Sequence, residues 1–209
     1  YSTLPSSTGR IAAGAQDQGY QLSESEVGGL YSFSQEISGD YGHLSSPDNT
    51  LEWVFSTYPG FILVQMREDR PRYEYLDYPS GAVAAWLPPV VAAPESPGEF
   101  YFVANKLYRY GYSRGNWSPE LWSEQDFSAR RDEYLSAMIF SPVDPQRAYA
   151  VSSYGVLWWS EDQGKTWNKS AEGGPGGQYF YGSALLASRS DALTAWVGGS
   201  GYGNPAVYK

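Results

Sequence analysis

The sequence predicts an all-β protein, and its composition and the scarcity of helical patterns are the first two reasons. The 209 residues include 19 Tyr, 8 Trp, 23 Gly and 14 Pro. Tyr and Trp favour β-strands, while Gly and Pro supply the turns that join short strands. Residues 129–135 could form one turn of helix, and residues 23–27 are similarly ambiguous. A chain of this length is sufficient for one sizeable hydrophobic core.

A repeated unit is the third reason. Four segments share an apolar run, a turn rich in Ser, Ala or Pro, and a second apolar run. Equivalent positions in the four segments are 47, 48 and 47 residues apart, at Ser46, Ala93, Ser141 and Ser188. This length is close to that of a four-stranded β-propeller blade. The sequence therefore predicts a β-propeller, or a large part of one, built from four-stranded antiparallel blades.

One motif predicts how a blade turns. Residues 160–167 read S-x-D-x-G-x-T-W and follow the apolar run of residues 156–159. Strand-forming residues on both sides of a short loop predict a β-hairpin. The defined positions of the motif are Ser160, Asp162, Gly164, Thr166 and Trp167. We expect Asp162 to accept backbone hydrogen bonds, Gly164 to adopt a positive φ, and Trp167 to restart a strand with its ring packed inward.

This motif is the Asp-box, and the chain resembles the Asp-box (BNR) repeat β-propellers of the sialidase-like and sortilin-like superfamily, including exported bacterial repeat proteins. The resemblance extends from about residue 10 to residue 209, with eroded boxes at residues 66–73 and 110–117. It implies that the box is structural even in enzymes that carry it. The chain has adjacent Arg130 and Arg131 but no R-I-P motif. The resemblance therefore covers the repeats and not the sialidase site.

The repeat also predicts the domain organisation. We expect a single propeller region over residues 1–209, with blade equivalents at about residues 1–37, 38–78, 79–130, 131–175 and 176–209, the last one truncated. We expect the encoded protein to be longer and to continue with a turn resembling Ser/Thr-x-Asp-x-Gly. An open array of blades exposes apolar faces, so the missing remainder or a partner protein is expected to cover them.

Charge and cysteine content restrict the partners. The formal net charge is −9, which argues against nucleic acid and anionic membranes, since both attract basic surfaces. No stretch approaches about 18 consecutive apolar residues, so no membrane insertion is expected. The chain has no Cys, which is compatible with export. We expect a secreted, periplasmic or cell-surface protein.

Loops that lead into the innermost strand of each blade gather at one mouth of a propeller, where ligands usually bind. In this chain they occupy residues 38–43, 77–81, 130–134 and 173–179. Aromatic rings there could stack on sugars while carboxylates bind the hydroxyl groups. The candidate ligand-binding residues are Asp40, Tyr41, His43, Tyr78, Arg131, Tyr134 and Tyr179.

Three carboxylates are candidate catalytic residues. Asp40 could act as a general acid or base, or hold a metal with His43, but a cap on its Gly-rich turn is the simpler explanation and needs no catalysis. Asp132 and Glu133 could serve glycoside hydrolysis, although adjacent residues of an extended chain point apart. No D-x-D-x-D-G loop is present, and we expect no metal and no cofactor.

The sequence favours an exported, non-catalytic propeller that acts as a scaffold or protein-interaction module in a cell-envelope or surface assembly. The alternative is a secreted glycoside hydrolase or carbohydrate-binding propeller with part of its site outside this chain. An enzyme requires two carboxylates about 5–10 Å apart beside exposed aromatic rings, whereas a scaffold buries surface against another chain.

Overall fold

The computed structural model describes residues 2–47, 50–67, 71–170, 180–201 and 207–209. The described residues contain nineteen β-strands and no helix. Residues 23–27, one of the two ambiguous segments, belong to a strand. Residues 129–134 form bends and turns that lead into another strand. The predicted all-β fold is therefore confirmed.

The strands form five sheets, in which strands adjacent in the sequence are hydrogen-bonded neighbours. Sheet 1 contains β1 (Ser2–Pro5), β2 (Ile11–Ala15), β3 (Gly19–Val27) and β4 (Leu30–Ile37). Sheet 2 contains β5 (Gly42–Ser45), β6 (Trp53–Tyr58), β7 (Phe61–Arg67) and β8 (Pro71–Asp77). Sheet 3 contains β9 (Val90–Ala92), β10 (Glu99–Val103), β11 (Leu107–Ser113) and β12 (Asn116–Ser123). Sheet 4 contains β13 (Leu135–Phe140), β14 (Ala148–Ser152), β15 (Leu157–Ser160) and β16 (Asn168–Lys169). Sheet 5 contains β17 (Phe180–Ala187), β18 (Ala195–Gly201) and β19 (Val207–Tyr208).

Four of these sheets have four strands, and sheet 5 has three among its described residues. Pairing is antiparallel in the hairpins of sheets 1, 2, 4 and 5. The predicted four-stranded antiparallel blade is thus confirmed, whereas the repeat length of about 47 residues stays a prediction. Among the described residues, no helix is long and apolar enough to cross a membrane.

The chain divides into two compact units. Unit 1 comprises Tyr1–Pro79, Trp86–Phe100 and Gly111–Ser118. Unit 2 comprises Ser80–Ala85, Tyr101–Tyr110 and Pro119–Lys209.

Unit 1 has its core between sheets 1 and 2. β5 packs against β1 and β2, and also against β9. Tyr20 and Leu22 of sheet 1 are buried against Tyr41 and Leu63. The Tyr20 hydroxyl donates a hydrogen bond to Oε1 of Gln65 at 2.7 Å, so the polar end of this core tyrosine is satisfied.

Unit 2 has a core between sheets 4 and 5. Val151, Phe180 and Val197 are buried there, and β17 packs against β13 and β14. Gly182 lies so close to Val151 that a Cβ atom on Gly182 would be 2.5 Å from a Val151 methyl carbon. The two sheets can approach at this point because Gly182 has no side chain.

Candidate functional site

The Asp-box forms the hairpin predicted for it. β15 and β16 pair antiparallel, with Trp158 opposite Lys169. Ser160 Oγ donates to Asp162 Oδ1 at 2.8 Å and accepts the Gly164 N–H at 2.9 Å. Gly164 has a φ of 84°, the left-handed conformation that glycine adopts without a steric cost.

The carboxylate of Asp162 is the centre of this turn. It accepts the Thr166 backbone N–H at 2.9 Å and the Thr166 hydroxyl at 2.6 Å. Partial burial works to raise the pKa of Asp162, but hydrogen bonds from Thr166, Ser160 and the Lys165 N–H outweigh it and hold the pKa below its usual value. These bonds occupy both carboxylate oxygens, so the residue serves the turn.

The Trp167 side chain packs between the Asp-box turn and Phe127. Its indole Nε1–H donates to the Gly164 carbonyl at 2.8 Å, and its ring meets Phe127 edge to face with centroids 5.5 Å apart. The strand begins one residue later than predicted, at Asn168.

The eroded boxes differ from the intact one. Residues 110–117 form the β11–β12 hairpin, whose turn places Arg114 at φ 51° and Gly115 at φ 82°. Two consecutive positive φ values are typical of a tight two-residue hairpin turn, which needs no capping carboxylate. The other copy, residues 66–73, lies partly outside the described residues.

The predicted mouth residues of unit 1 are mainly structural. Asp40 Oδ1 accepts the Asp17 backbone N–H at 2.8 Å and so holds a turn in which Asp17 has a φ of 62°. Tyr41 is buried, and desolvation raises the pKa of its hydroxyl to about 12. Tyr78 donates to the Tyr58 carbonyl at 2.6 Å, and desolvation raises its pKa to about 12 as well.

His43 is solvent-exposed, with a φ of 49° at an irregularity of the β5–β6 pairing. The protein atoms around the imidazole lower its pKa by desolvation. No group of three or more His, Asp or Glu side chains that could hold a metal ion occurs in the part of the chain that the structure describes.

The predicted mouth residues of unit 2 occupy one loop. Glu133 is only 1% exposed, where it accepts the Ser152 hydroxyl at 2.5 Å and the Arg130 N–H at 3.1 Å. Arg131 and Asp132 are exposed and form an ion pair at 3.8 Å.

Tyr134 is half-buried, and its backbone N–H donates to Ser153 Oγ at 3.4 Å. Tyr179 lies outside the described residues. Asp40 belongs to unit 1, and Asp132 and Glu133 belong to unit 2. Each of the three candidate catalytic carboxylates is engaged by another residue of its own unit.

A groove in unit 2 is a concave surface that includes none of the described mouth residues. It has a volume of about 430 Å³ and is bordered by sheets 4 and 5. Its lining residues are mostly apolar and aromatic, and they include Tyr149, Leu157, Trp159, Leu185, Leu193 and Tyr208.

Strand registers show which side chains face the groove. Tyr149 is paired with Trp159, and Val197 is paired with Tyr208. Paired residues point to the same side of a sheet, and alternate residues along a strand share that side. Leu157, Leu185 and Tyr208 all pack against the same core cluster, so these faces of sheets 4 and 5 look toward one another.

The rim of the groove carries positively and negatively charged side chains. The Arg147 guanidinium lies 5.4 Å from the centroid of the Trp159 ring and forms an ion pair with Glu161. On the other side, Lys209 Nζ lies 6.0 Å from the centroid of Trp196. The groove therefore combines an apolar floor with charged side chains at its rim.

Sequence reasoning did not find this groove. Its walls come from β14, β15, β18 and β19, which belong to two different sheets. The available signal was the aromatic density of Trp158, Trp159, Trp196 and Tyr208, which the sequence alone could not distinguish from core packing.

Comparison with solved structures shows a β-propeller fold. The chain is similar to the structure of YCF48 bound to D1 peptide, with a TM-score of 0.67, 14% identity and coverage of 95% of this chain and 59% of that chain. A Lactobacillus plantarum protein has a TM-score of 0.68, 13% identity and coverage of 96% and 64%. The β-propeller domain of Myceliophteria thermophila Cps50 (Swd1) has a TM-score of 0.65, 13% identity and coverage of 94% and 61%.

The chain spans about three fifths of the length of these solved structures. No protein-family model matches the sequence. No curated protein matches it either.

Proposed function

We propose that this chain is a non-catalytic β-propeller module for protein interaction, and that the groove between sheets 4 and 5 binds an extended peptide segment of a partner protein. The observation that carries the proposal is the groove of about 430 Å³, which is lined mostly by apolar and aromatic side chains of sheets 4 and 5. A groove of this kind takes the side chains of a bound segment and selects among them.

The groove lies between two sheets and suits an extended segment. Alternate side chains of an extended segment point to the same side. Apolar side chains on the groove side would contact Trp159 and Tyr208, while the others face away from the groove.

Two further observations support protein binding over catalysis. The candidate carboxylates are engaged by other residues of their own units: Asp40 by Asp17, Asp132 by Arg131, and Glu133 by Ser152. Among proteins of similar fold, the YCF48 structure contains a bound peptide, D1. The fold is thus compatible with peptide recognition, and the groove is where this chain has the surface for it.

The repeat class and the cellular location of the protein are part of the same proposal. The hydrogen bonds of Ser160, Asp162 and Thr166 support membership of the Asp-box class, with a repeat of about 47 residues. The absence of Cys and the acidic net charge of −9 support an exported role in a cell-envelope or surface assembly. Export would be tested by fractionating cells that express the full-length gene.

Selection from a display library of short random peptides tests the binding function. We expect enriched peptides in which apolar residues alternate with polar ones. Leu193→Asp should weaken binding at least about tenfold, because Leu193 lines the groove and is 71% exposed, so its replacement places a charge there without disturbing the core.

Leu121→Asp is the matched control. Leu121 is also an exposed leucine of unit 2, but it lies on β12 of sheet 3 and does not line the groove. This variant should bind like the wild type. Failure to enrich any peptide would overturn the proposal. Binding to a glycan array that Leu193→Asp abolishes, without peptide binding, would instead support the carbohydrate-binding alternative.

A further inference from the structure

The hairpin of β3 and β4 in unit 1 exposes apolar side chains at an open sheet edge. Val27 is 75% exposed, Leu30 is 76% exposed, and Tyr31 and Phe33 are each 40% exposed. These four residues are called the hairpin surface below. β4 pairs with β3 on one side only and is the edge strand of sheet 1. Long, exposed, apolar edge strands are templates for pairing with another strand.

The hairpin surface extends over both faces of the sheet. Val27 is paired with Leu30, so these two side chains lie on one face. Tyr31 and Phe33 alternate with Leu30 along β4 and therefore lie on the other face. Ser34 Oγ donates to Glu36 Oε1 at 3.0 Å, so Glu36 shares the face of Ser34 and Leu30. An added strand therefore meets Tyr31 and Phe33 on one face and a carboxylate on the other.

The charge around this surface specifies its partner. Residues 20–40 contain Glu24, Glu26, Glu36 and Asp40 and no Lys, Arg or His. Glu24 and Glu36 are exposed, and Glu36 lies on the edge strand itself. An exposed apolar surface with an acidic border attracts a segment that combines apolar and basic side chains.

We propose that the edge of β4 binds an extended partner segment in which apolar residues alternate with Lys or Arg. The partner adds as a strand to sheet 1, its apolar side chains contact Tyr31 and Phe33 on one face, and its cations lie on the other face, beside Leu30 and Glu36. Charge argues against a second copy of this chain as the occupant, because pairing two β4 strands would bring the glutamates of both copies together.

This surface belongs to unit 1, whereas the groove belongs to unit 2. The inference is therefore independent of the proposed groove, and either can fail without the other.

Titration with two synthetic peptides tests the inference. One peptide alternates Val with Lys and the other alternates Val with Glu. We expect the Val/Lys peptide to bind at least about tenfold more tightly, with an affinity that falls as salt is raised. Backbone amide NMR shifts should change at residues 30–37.

Leu30→Lys is the test variant and Leu121→Lys is its control. Leu121 is 40% exposed on β12, which is the edge strand of sheet 3, so both variants change an edge-strand leucine and the net charge equally. We expect Leu30→Lys to weaken the affinity for the Val/Lys peptide at least about tenfold. Leu121→Lys should change that affinity less than about twofold.

Four outcomes would overturn the inference. The two variants could weaken binding equally, the Val/Glu peptide could bind as tightly as the Val/Lys peptide, or the NMR changes could fall outside residues 30–37. Reversible dimerisation that Leu30→Lys abolishes would also overturn it, because the occupant would then be a second copy of this chain.

Discussion

Thr166 donates two hydrogen bonds to the carboxylate of Asp162, from its backbone N–H to Oδ1 at 2.9 Å and from its hydroxyl to Oδ2 at 2.6 Å. A single side chain thus ties the two ends of the turn between β15 and β16. The arrangement explains why this motif specifies Asp and Thr four residues apart, and why it stabilises a blade without supplying a catalytic group.

Replacing Asp162 should destabilise unit 2. Asp162→Ala removes the acceptors of Thr166 and of Ser160 Oγ, and loss of charged hydrogen bonds of this kind costs about 1–3 kcal/mol of the free energy of unfolding. Urea denaturation measures the change. Glu120→Ala, at an exposed position of β12, is the control and should stay within about 0.5 kcal/mol of wild type. Equal effects of the two variants would contradict the role given to the box.

The same carboxylate should make stability depend on acid pH. The folded pKa of Asp162 lies below its ordinary value of 3.8, so folding favours the charged form. Its contribution to stability is therefore present above pH 3.8 and is lost as pH falls through the lower folded pKa. Asp162→Asn should reduce the acid sensitivity measured by urea denaturation at several pH values. An unchanged pH dependence would show that the charge contributes nothing.

Alkaline pH should destabilise unit 1 through buried tyrosines. Desolvation raises the pKa of Tyr41 and of Tyr78 from 10.0 to about 12, so folding favours the neutral hydroxyls. Their contribution is complete below pH 10 and is lost as pH rises toward about 12. In a pH titration followed by tyrosinate absorbance, the Tyr78→Phe variant should lack one of the tyrosines that ionise near pH 12 in the wild type. Titration of Tyr78 near its usual pKa would contradict the hydrogen-bonded, desolvated environment described for it.

Gly182 should tolerate no side chain. Gly182→Ala would place a methyl group 2.5 Å from a Val151 methyl carbon between sheets 4 and 5, and overpacking of this kind costs about 1–3 kcal/mol. Gly111→Ala is the matched control, because Gly111 also lies in a strand and its nearest neighbour would be 3.7 Å away. Thermal denaturation compares the two variants. A Gly182→Ala protein as stable as Gly111→Ala would contradict the close approach of the sheets.

The fold was largely predictable because its signals are local. The spacing of Ser160, Asp162 and Gly164 predicts a capped turn without reference to the rest of the chain, and that turn is present with the expected bonds. The abundance of Tyr, Trp, Gly and Pro likewise predicts short strands and many turns.

The candidate site was much less predictable, because burial depends on residues that are distant in sequence. Tyr41 and Glu133 were predicted as accessible loop residues, yet they are 2% and 1% exposed. Conversely, Trp159 and Tyr208 look like core residues in the sequence, and the distance between sheets 4 and 5 makes them walls of a groove. No local sequence pattern predicts the distance between two sheets.

Backbone amide hydrogen exchange, measured with and without a peptide selected for binding, tests the central claim most directly. A peptide bound in the groove should slow exchange at residues 195–197, 208 and 209, and leave residues 30–37 unchanged. Leu193→Asp should abolish that protection and Leu121→Asp should retain it. Protection confined to residues outside the groove, or no protection by any selected peptide, would contradict the claim that this propeller binds partner proteins through the groove between sheets 4 and 5.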